Sequence, residues 1–189
     1  MTKKSTSEKI ITASLELLKQ QGDRGVTMRK VAQLTGLSLS NVQYYFKTKD
    51  DLLKAMADRY FADCLDTLRL KKPLSSQEEL LPALTDLCKE FLSHGHEISE
   101  MCRVFREYWA IATRNEAIEA YLEKYYCEMF SLLCEKLEPV SAGPESLSKA
   151  VVILIPYIEG YSITAKAMGR SLEQVSDTMA GLVASALKD

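Results

Sequence analysis

The sequence predicts an all-α protein of about nine helices, and three observations predict it. Apolar residues recur every three or four positions along most of the chain, and no segment alternates apolar and polar residues as a half-buried strand does. Helix starts are marked by spaced capping pairs: Ser5 with Glu8, Thr48 with Asp51, Ser76 with Glu79, and Ser171 with Gln174. Glycine or proline punctuates the intervals, at Gly22, Gly36, Pro73, Gly95, Pro139 and Gly169.

The first helix is expected over residues 5–21, with Ile10, Ile11, Ala13, Leu15, Leu17 and Leu18 as a broad apolar stripe. Lys3, Lys4 and Lys9 would offer loose phosphate contacts from its N-terminal arm. Two short helices follow. Thr27 caps the first, because its hydroxyl can accept from a free N–H of the opening turn. Met28, Val31 and Ala32 then share one face. Gly36 tolerates the positive φ of a reversal. Ser38 caps the second helix, whose inward positions are Leu39, Val42 and Phe46. Small Ala32 lets the helices cross closely, and β-branched Val42 fills the angle between them. This spacing predicts a helix-turn-helix unit, whose second helix enters the DNA major groove. Its polar side carries Ser38, Ser40, Asn41, Gln43 and Tyr44, with no negative charge. Arg29 and Lys30 precede it, and Lys47 and Lys49 follow. Cations there would meet phosphates, while amides and hydroxyls would meet base edges.

Residues 26–53, VTMRKVAQLTGLSLSNVQYYFKTKDDLL, resemble the DNA-binding domain of the TetR family of bacterial transcriptional regulators. The shared features are Thr27, Gly36, Tyr44, Tyr45, Phe46, Lys47, Lys49 and Leu52, and the resemblance covers about the first third of the chain. It implies base reading by Arg29, Ser38, Ser40, Asn41 and Gln43. It implies phosphate clamping by Thr27, Tyr44, Tyr45, Lys47 and Lys49, with Lys30 beside them. Many family members have Tyr where this chain has Gln43. Glutamine can donate and accept together in a bidentate contact with adenine, so a different base preference is expected at that position.

A helix over residues 49–70 should link head and body, with Leu52, Leu53, Met56, Tyr60, Cys64 and Leu68 inward. The expected divisions are a helix-turn-helix domain over 1–48, a connecting helix over 49–72, and a ligand-binding and dimerisation domain over 73–189. Helices are expected over about 76–95, 97–114, 116–137, 144–168 and from Ser171 onward. Pro82 should bend the first of these or delay its start. Residues 151–158, VVILIPYI, are apolar on every side, which predicts burial on more than one face. The last helix has Ala180, Gly181, Ala184, Ser185 and Ala186, which allow a close neighbour. A homodimer through the last two helices accounts for both, and the resemblance implies it. Two reading helices one DNA turn apart (~34–36 Å) would read a palindromic operator on double-stranded DNA.

Aromatic residues crowd the body. Plain core is the ordinary reading of aromatics at helical spacing. Yet tyrosine and tryptophan carry polar tips that need partners when buried, and Arg103, Arg106, Glu107 and Glu159 are interleaved among them. Pro156 would also free a carbonyl inside a buried helix. Such a mixture suits a small-molecule pocket, and the resemblance places an effector there. Its candidate residues are Phe105, Tyr108, Trp109, Tyr125, Met129, Tyr157, Glu159 and Tyr161. The effector's identity stays open between a cation and an aromatic or fatty molecule.

Charge is polarised. Residues 1–50 hold nine Lys and Arg against four Asp and Glu, net +5, while residues 51–189 hold fifteen against twenty-two, net −7. A basic head attracts phosphate, and an acidic body repels DNA elsewhere. No apolar run approaches the ~20 residues of a membrane span, and no apolar segment follows the N-terminal lysines as in a signal peptide, so a cytoplasmic protein is expected. Five cysteines, Cys64, Cys88, Cys102, Cys127 and Cys134, fall in helical patterns without a CxxC pair and read as reduced core thiols. His94 and His96, beside Gly95, lack further metal ligands. No nucleophile, phosphate loop or HExxH motif points to catalysis, and no cofactor or metal is expected. The expected function is a ligand-responsive dimeric repressor. The alternative is a protein-binding coactivator on the same fold that no longer reads DNA.

Overall fold

The computed structural model describes residues 3–74 and 76–188, without the side chains of Lys3, Lys4 and Gln77. The expected phosphate contacts of Lys3 and Lys4 therefore lie outside the described residues. Among these residues there are nine α-helices, two 3-10 turns and no strand. The helices are α1 (Lys3–Gln21), α2 (Met28–Thr35), α3 (Leu39–Tyr45), α4 (Lys49–Leu70), α5 (Gln77–His96), α6 (Glu100–Ala112), α7 (Glu116–Leu137), α8 (Pro144–Met168) and α9 (Leu172–Ala186). The 3-10 turns are Asp23–Gly25 and Glu138–Val140.

Packing divides the chain into two compact units, one of residues up to 66 with 103–125, the other of 67–102 with 126 onward. The boundaries between these packing units fall inside α4, α6 and α7.

In the first unit, Ile10, Leu17 and Leu18 of α1, Val31 of α2 and Val42 of α3 bury together with Val26. From α4 come Leu52, Leu53, Met56, Ala57, Phe61 and Leu65. The expectation for Tyr60 and Cys64 is corrected: both are only half-buried, and the inward stripe runs through Phe61 and Leu65. The cause is the neighbour. Phe61 meets Phe105, Tyr108 and Tyr125 at ring-centre distances of 4.6, 5.1 and 4.9 Å. These rings draw the stripe of α4 round to the Phe61 side, and aromatic pairs favour such tilted and edge-on approaches.

In the second unit, α5 lays Leu80, Leu84, Cys88 and Leu92, spaced by four, against α8 and α9. Those helices contribute Val151, Leu154 and Tyr161, and Val175, Met179 and Val183. Ser76 caps α5 and Pro82 lies inside it, so the helix starts early and passes through the proline. The one lost N–H would have served the Glu78 carbonyl. α6 is shorter than expected, because Ile98 stands at φ +49 and breaks the helical ladder ahead of it. α1 starts at Lys3, so Ser5 lies within the helix instead of capping it.

The outer side of α8 departs from expectation. Within one chain Val152, Ile153 and Pro156 are exposed, so residues 151–158 are buried on one face only. Ile163 (71% exposed) and Leu182 of α9 (51%) are also open. Pro156 therefore frees no carbonyl in a buried interior. Among the described residues α8 alone is long and apolar enough to cross a membrane by length and composition. Its buried side packs on α5 and α9.

Candidate nucleic-acid interface

Each local device of the helix-turn-helix is in place. Thr27 Oγ1 accepts from the Lys30 amide at 3.2 Å. Gly36 has φ +67, and the Leu37 amide donates back to the Ala32 carbonyl at 3.0 Å, closing α2. Ser38 Oγ accepts from the Asn41 amide at 3.1 Å and lies 2.9 Å from Ser40 Oγ. Val42 is fully buried and Phe46 nearly so, which fixes the rotation of α3. The opposite side, Ser40, Asn41, Gln43 and Tyr44, is exposed. Tyr44 stands edge-on to half-buried Tyr45, with ring centres 5.4 Å apart. Arg29 and Lys47 are exposed, and Lys30 Nζ donates to Gln21 Oε1 at 2.8 Å. At the start of α4, Thr48 and Asp51 exchange two hydrogen bonds of 3.0 Å.

Lys49, expected as a phosphate-binding cation, is tied to the turn before α2. Its ammonium lies 2.6 Å from Asp23 Oδ1 and donates to the Asp23 carbonyl at 2.8 Å. Asp23 Oδ2 accepts from Arg114 Nη2 at 2.8 Å, and the Asp23 amide donates to Glu107 Oε2 at 2.9 Å. Nearby, Asn115 Nδ2 donates to Asp50 Oδ1 at 2.8 Å while Asn115 Oδ1 caps the start of α7. Burial alone would raise the Asp23 carboxyl. The hydrogen bonds and charges of Lys49 and Arg114 outweigh it and hold the group below its ordinary 3.8. Asp23, Arg114 and Asn115 escape sequence reasoning, because partners 26 and 91 residues apart leave no periodic signal. Glu107, expected among the polar groups of a pocket, instead faces the turn at Asp23.

The eight candidate effector residues divide between the units. Phe105, Tyr108 and Tyr125 are buried around Phe61, and Trp109 is 45% exposed. Tyr108 is fully buried, and its hydroxyl donates to the Leu53 carbonyl at 2.8 Å. In the other unit Met129 and Tyr161 are buried, and Tyr157 and Glu159 are half-buried. Tyr157 and Tyr161 stack at 6.2 Å, and the Tyr161 hydroxyl lies 3.0 Å from His96 Nδ1. Arg103 is exposed. Two surface hollows lie elsewhere. One of about 290 Å³ is walled by Leu68, Leu74, Leu87 and Leu133, with Lys71 and Lys136 at its edge. The other is a groove along α1 beside Leu34. Neither is lined by any of the eight. Of the cysteines, Cys88 and Cys102 are buried, Cys64 and Cys134 half-buried, and Cys127 exposed. Burial pushes the Cys88 thiol up to about 12, which suppresses the reactive thiolate.

A helix-turn-helix with its polar recognition face open and its cations alongside, in an otherwise helical chain, defines a DNA-binding transcriptional regulator. The family model for bacterial regulatory proteins of the tetR family matches residues 10–56. An uncharacterized HTH-type transcriptional regulator in the dhlA 5' region of Xanthobacter autotrophicus is 49% identical over 188 residues, covering all of this chain and 93% of the relative. The probable HTH-type transcriptional regulator YttP of Bacillus subtilis is 29% identical over 72% of this chain and 66% of its own. In fold, a transcriptional regulator from Rhodococcus sp. Rha1 aligns with a TM-score of 0.80 at 18% identity, over 97% of this chain and 98% of that one. Salmonella enterica GusR aligns at 0.77 and 16% identity, over 99% and 97%. The chain belongs to the TetR family of bacterial transcriptional regulators.

Proposed function

We propose that the protein is a homodimeric repressor of the bacterial cytoplasm that binds a palindromic operator and is released by a small molecule. The observation that carries this reading is the open face of α3. Val42 and Phe46 anchor the helix, so Ser40, Asn41, Gln43 and Tyr44 are presented together without an acidic neighbour on α3. Arg29, Ser38, Ser40, Asn41 and Gln43 read base edges, and Thr27, Lys30, Tyr44, Tyr45, Lys47 and Lys49 position the phosphates. The exposed row Val152, Ile153, Ile163 and Leu182 supports pairing of α8 and α9 with a second copy, since open apolar rows mark association surfaces. The candidate effector residues form two separate groups, Phe105, Tyr108, Trp109 and Tyr125 in one unit and Met129, Tyr157, Glu159 and Tyr161 in the other. Trp109 is the chain's only tryptophan and a direct reporter of binding.

The test is selection from a random DNA pool at moderate salt, followed by a metabolite and drug panel on the selected site. A palindromic site, lost with a compound that also changes Trp109 fluorescence, is the expected result. No enrichment by the folded protein would overturn DNA reading and favour the coactivator alternative.

A further inference from the structure

We propose that Asp23 is a positioning residue for DNA binding, which holds the Lys49 ammonium in place for a phosphate and ties the turn before α2 to the side chains of Glu107 and Arg114. The inference rests on the DNA-reading function proposed above. An ammonium has three N–H donors. One of them goes to the Asp23 carbonyl at 2.8 Å, while the Asp23 carboxylate attracts the ammonium as an ion pair, with Oδ1 2.6 Å away. Donors remain for a phosphate, and the Lys49 side chain is still 36% exposed. A lysine already held in one rotamer meets a phosphate without first being ordered.

Asp23 is itself immobilised. Its second carboxylate oxygen takes Arg114 at 2.8 Å, its amide binds Glu107 at 2.9 Å, and its side chain is 16% exposed. The turn leaves little freedom. Gly22 stands at φ +66, and a Cβ there would meet both Glu107 carboxylate oxygens at 3.1 Å. Arg114 also donates to the Ala110 carbonyl at 2.7 Å, which orients its guanidinium from the last turn of α6. Lys49 is thus one end of a charge-assisted chain, Lys49–Asp23–Arg114, whose other end lies just beyond α6.

The test is a double-mutant cycle on operator affinity with Asp23→Asn, Lys49→Ala and both together. Asparagine keeps the shape and removes the charge. Asp23→Asn should weaken binding about tenfold with Lys49 present and by less than about twofold with Lys49→Ala, because coupled residues are not additive. Equal losses in both backgrounds would mean that Asp23 acts through the fold alone, and tighter binding would mean that it withholds Lys49 from DNA. Either overturns the proposal. A second measurement needs no DNA. Exchange of the Asp23 amide hydrogen should quicken in Arg114→Ala, and unchanged exchange overturns the tie to Arg114. A wild-type protein that binds no DNA, with this quickening still present in Arg114→Ala, would locate the failure in the function proposed above.

Discussion

Gly95, near the end of α5, lies so close to Ser162 of α8 that a Cβ on Gly95 would stand 2.7 Å from the Ser162 Cα. The obstacle is backbone, which cannot rotate away. Gly95→Ala gains about 1 kcal/mol in helix propensity, but overpacking at a fixed contact costs about 1–3 kcal/mol. The net expectation is destabilisation, read as a lower denaturation midpoint with unchanged slope. A stabilised variant would show that α5 and α8 can part freely.

The Phe61 cluster should dominate the stability of its unit. Phe61→Ala removes the ring on which Phe105, Tyr108 and Tyr125 converge, and a buried Phe→Ala costs about 3–5 kcal/mol. Tyr108→Phe keeps the ring and removes only the hydrogen bond to Leu53, at about 0.5–1.5 kcal/mol. Urea denaturation of both variants gives the ranking, and equal costs would contradict it.

Acid should act on Asp23 with a defined sign. Its folded carboxyl lies below the ordinary 3.8, so the ion pairs add stability above the unfolded value. That contribution is complete at neutral pH and is lost as pH falls through the depressed folded value. Asp23→Asn should therefore be less stable than wild type at pH 7, with the gap closing only at pH values below 3.8. Thermal unfolding across pH 2–7 measures it, and a gap that stays constant would remove Asp23 from the acid response.

Base reading and phosphate binding should separate by mutation. Gln43→Ala should relax preference at one base pair, costing about 1–3 kcal/mol on the best site and little on others. Lys47→Ala should weaken binding to all sequences and reduce the salt slope by about 1. Titrations on matched and single-mismatch sites at several salt concentrations separate the two.

The outer row of α8 and α9 should govern association. Ile163→Glu places a charge on a side chain that is 71% exposed in one chain, so the fold should tolerate it. Sedimentation should then show a monomer with unchanged helicity, whereas the wild type should sediment as a dimer. A variant that remains dimeric would place the interface elsewhere.

The legible parts of the structure were local. Thr27, Gly36 and Ser38 announce their roles because a cap or a left-handed residue acts within four positions of itself. α4, α7 and α8 begin and end where caps, glycine and proline predict. What stayed hidden depends on distant partners. Helical spacing alone puts Tyr60 on the inward face of α4, and only the rings of α6 and α7 turn that face to Phe61. Asp23 looks like an ordinary loop acid until Lys49, Glu107 and Arg114 converge on it. The outer side of α8 has the composition of a core, yet within one chain Val152, Ile153 and Ile163 stand exposed.

Residues 103–125 share a packing unit with the N-terminal helices, and this bears on how such regulators can be recombined. A chimera joined after α3 or midway along α4 would inherit the reading helix but lose the rings that close around Phe61 and the side chains that grip Asp23. To transplant this reader intact, the graft must include a second, discontinuous piece of chain. Evolution faces the same condition. A change at Phe105, Glu107 or Arg114, remote in sequence from the recognition helix, would be inherited as a change in the reader itself.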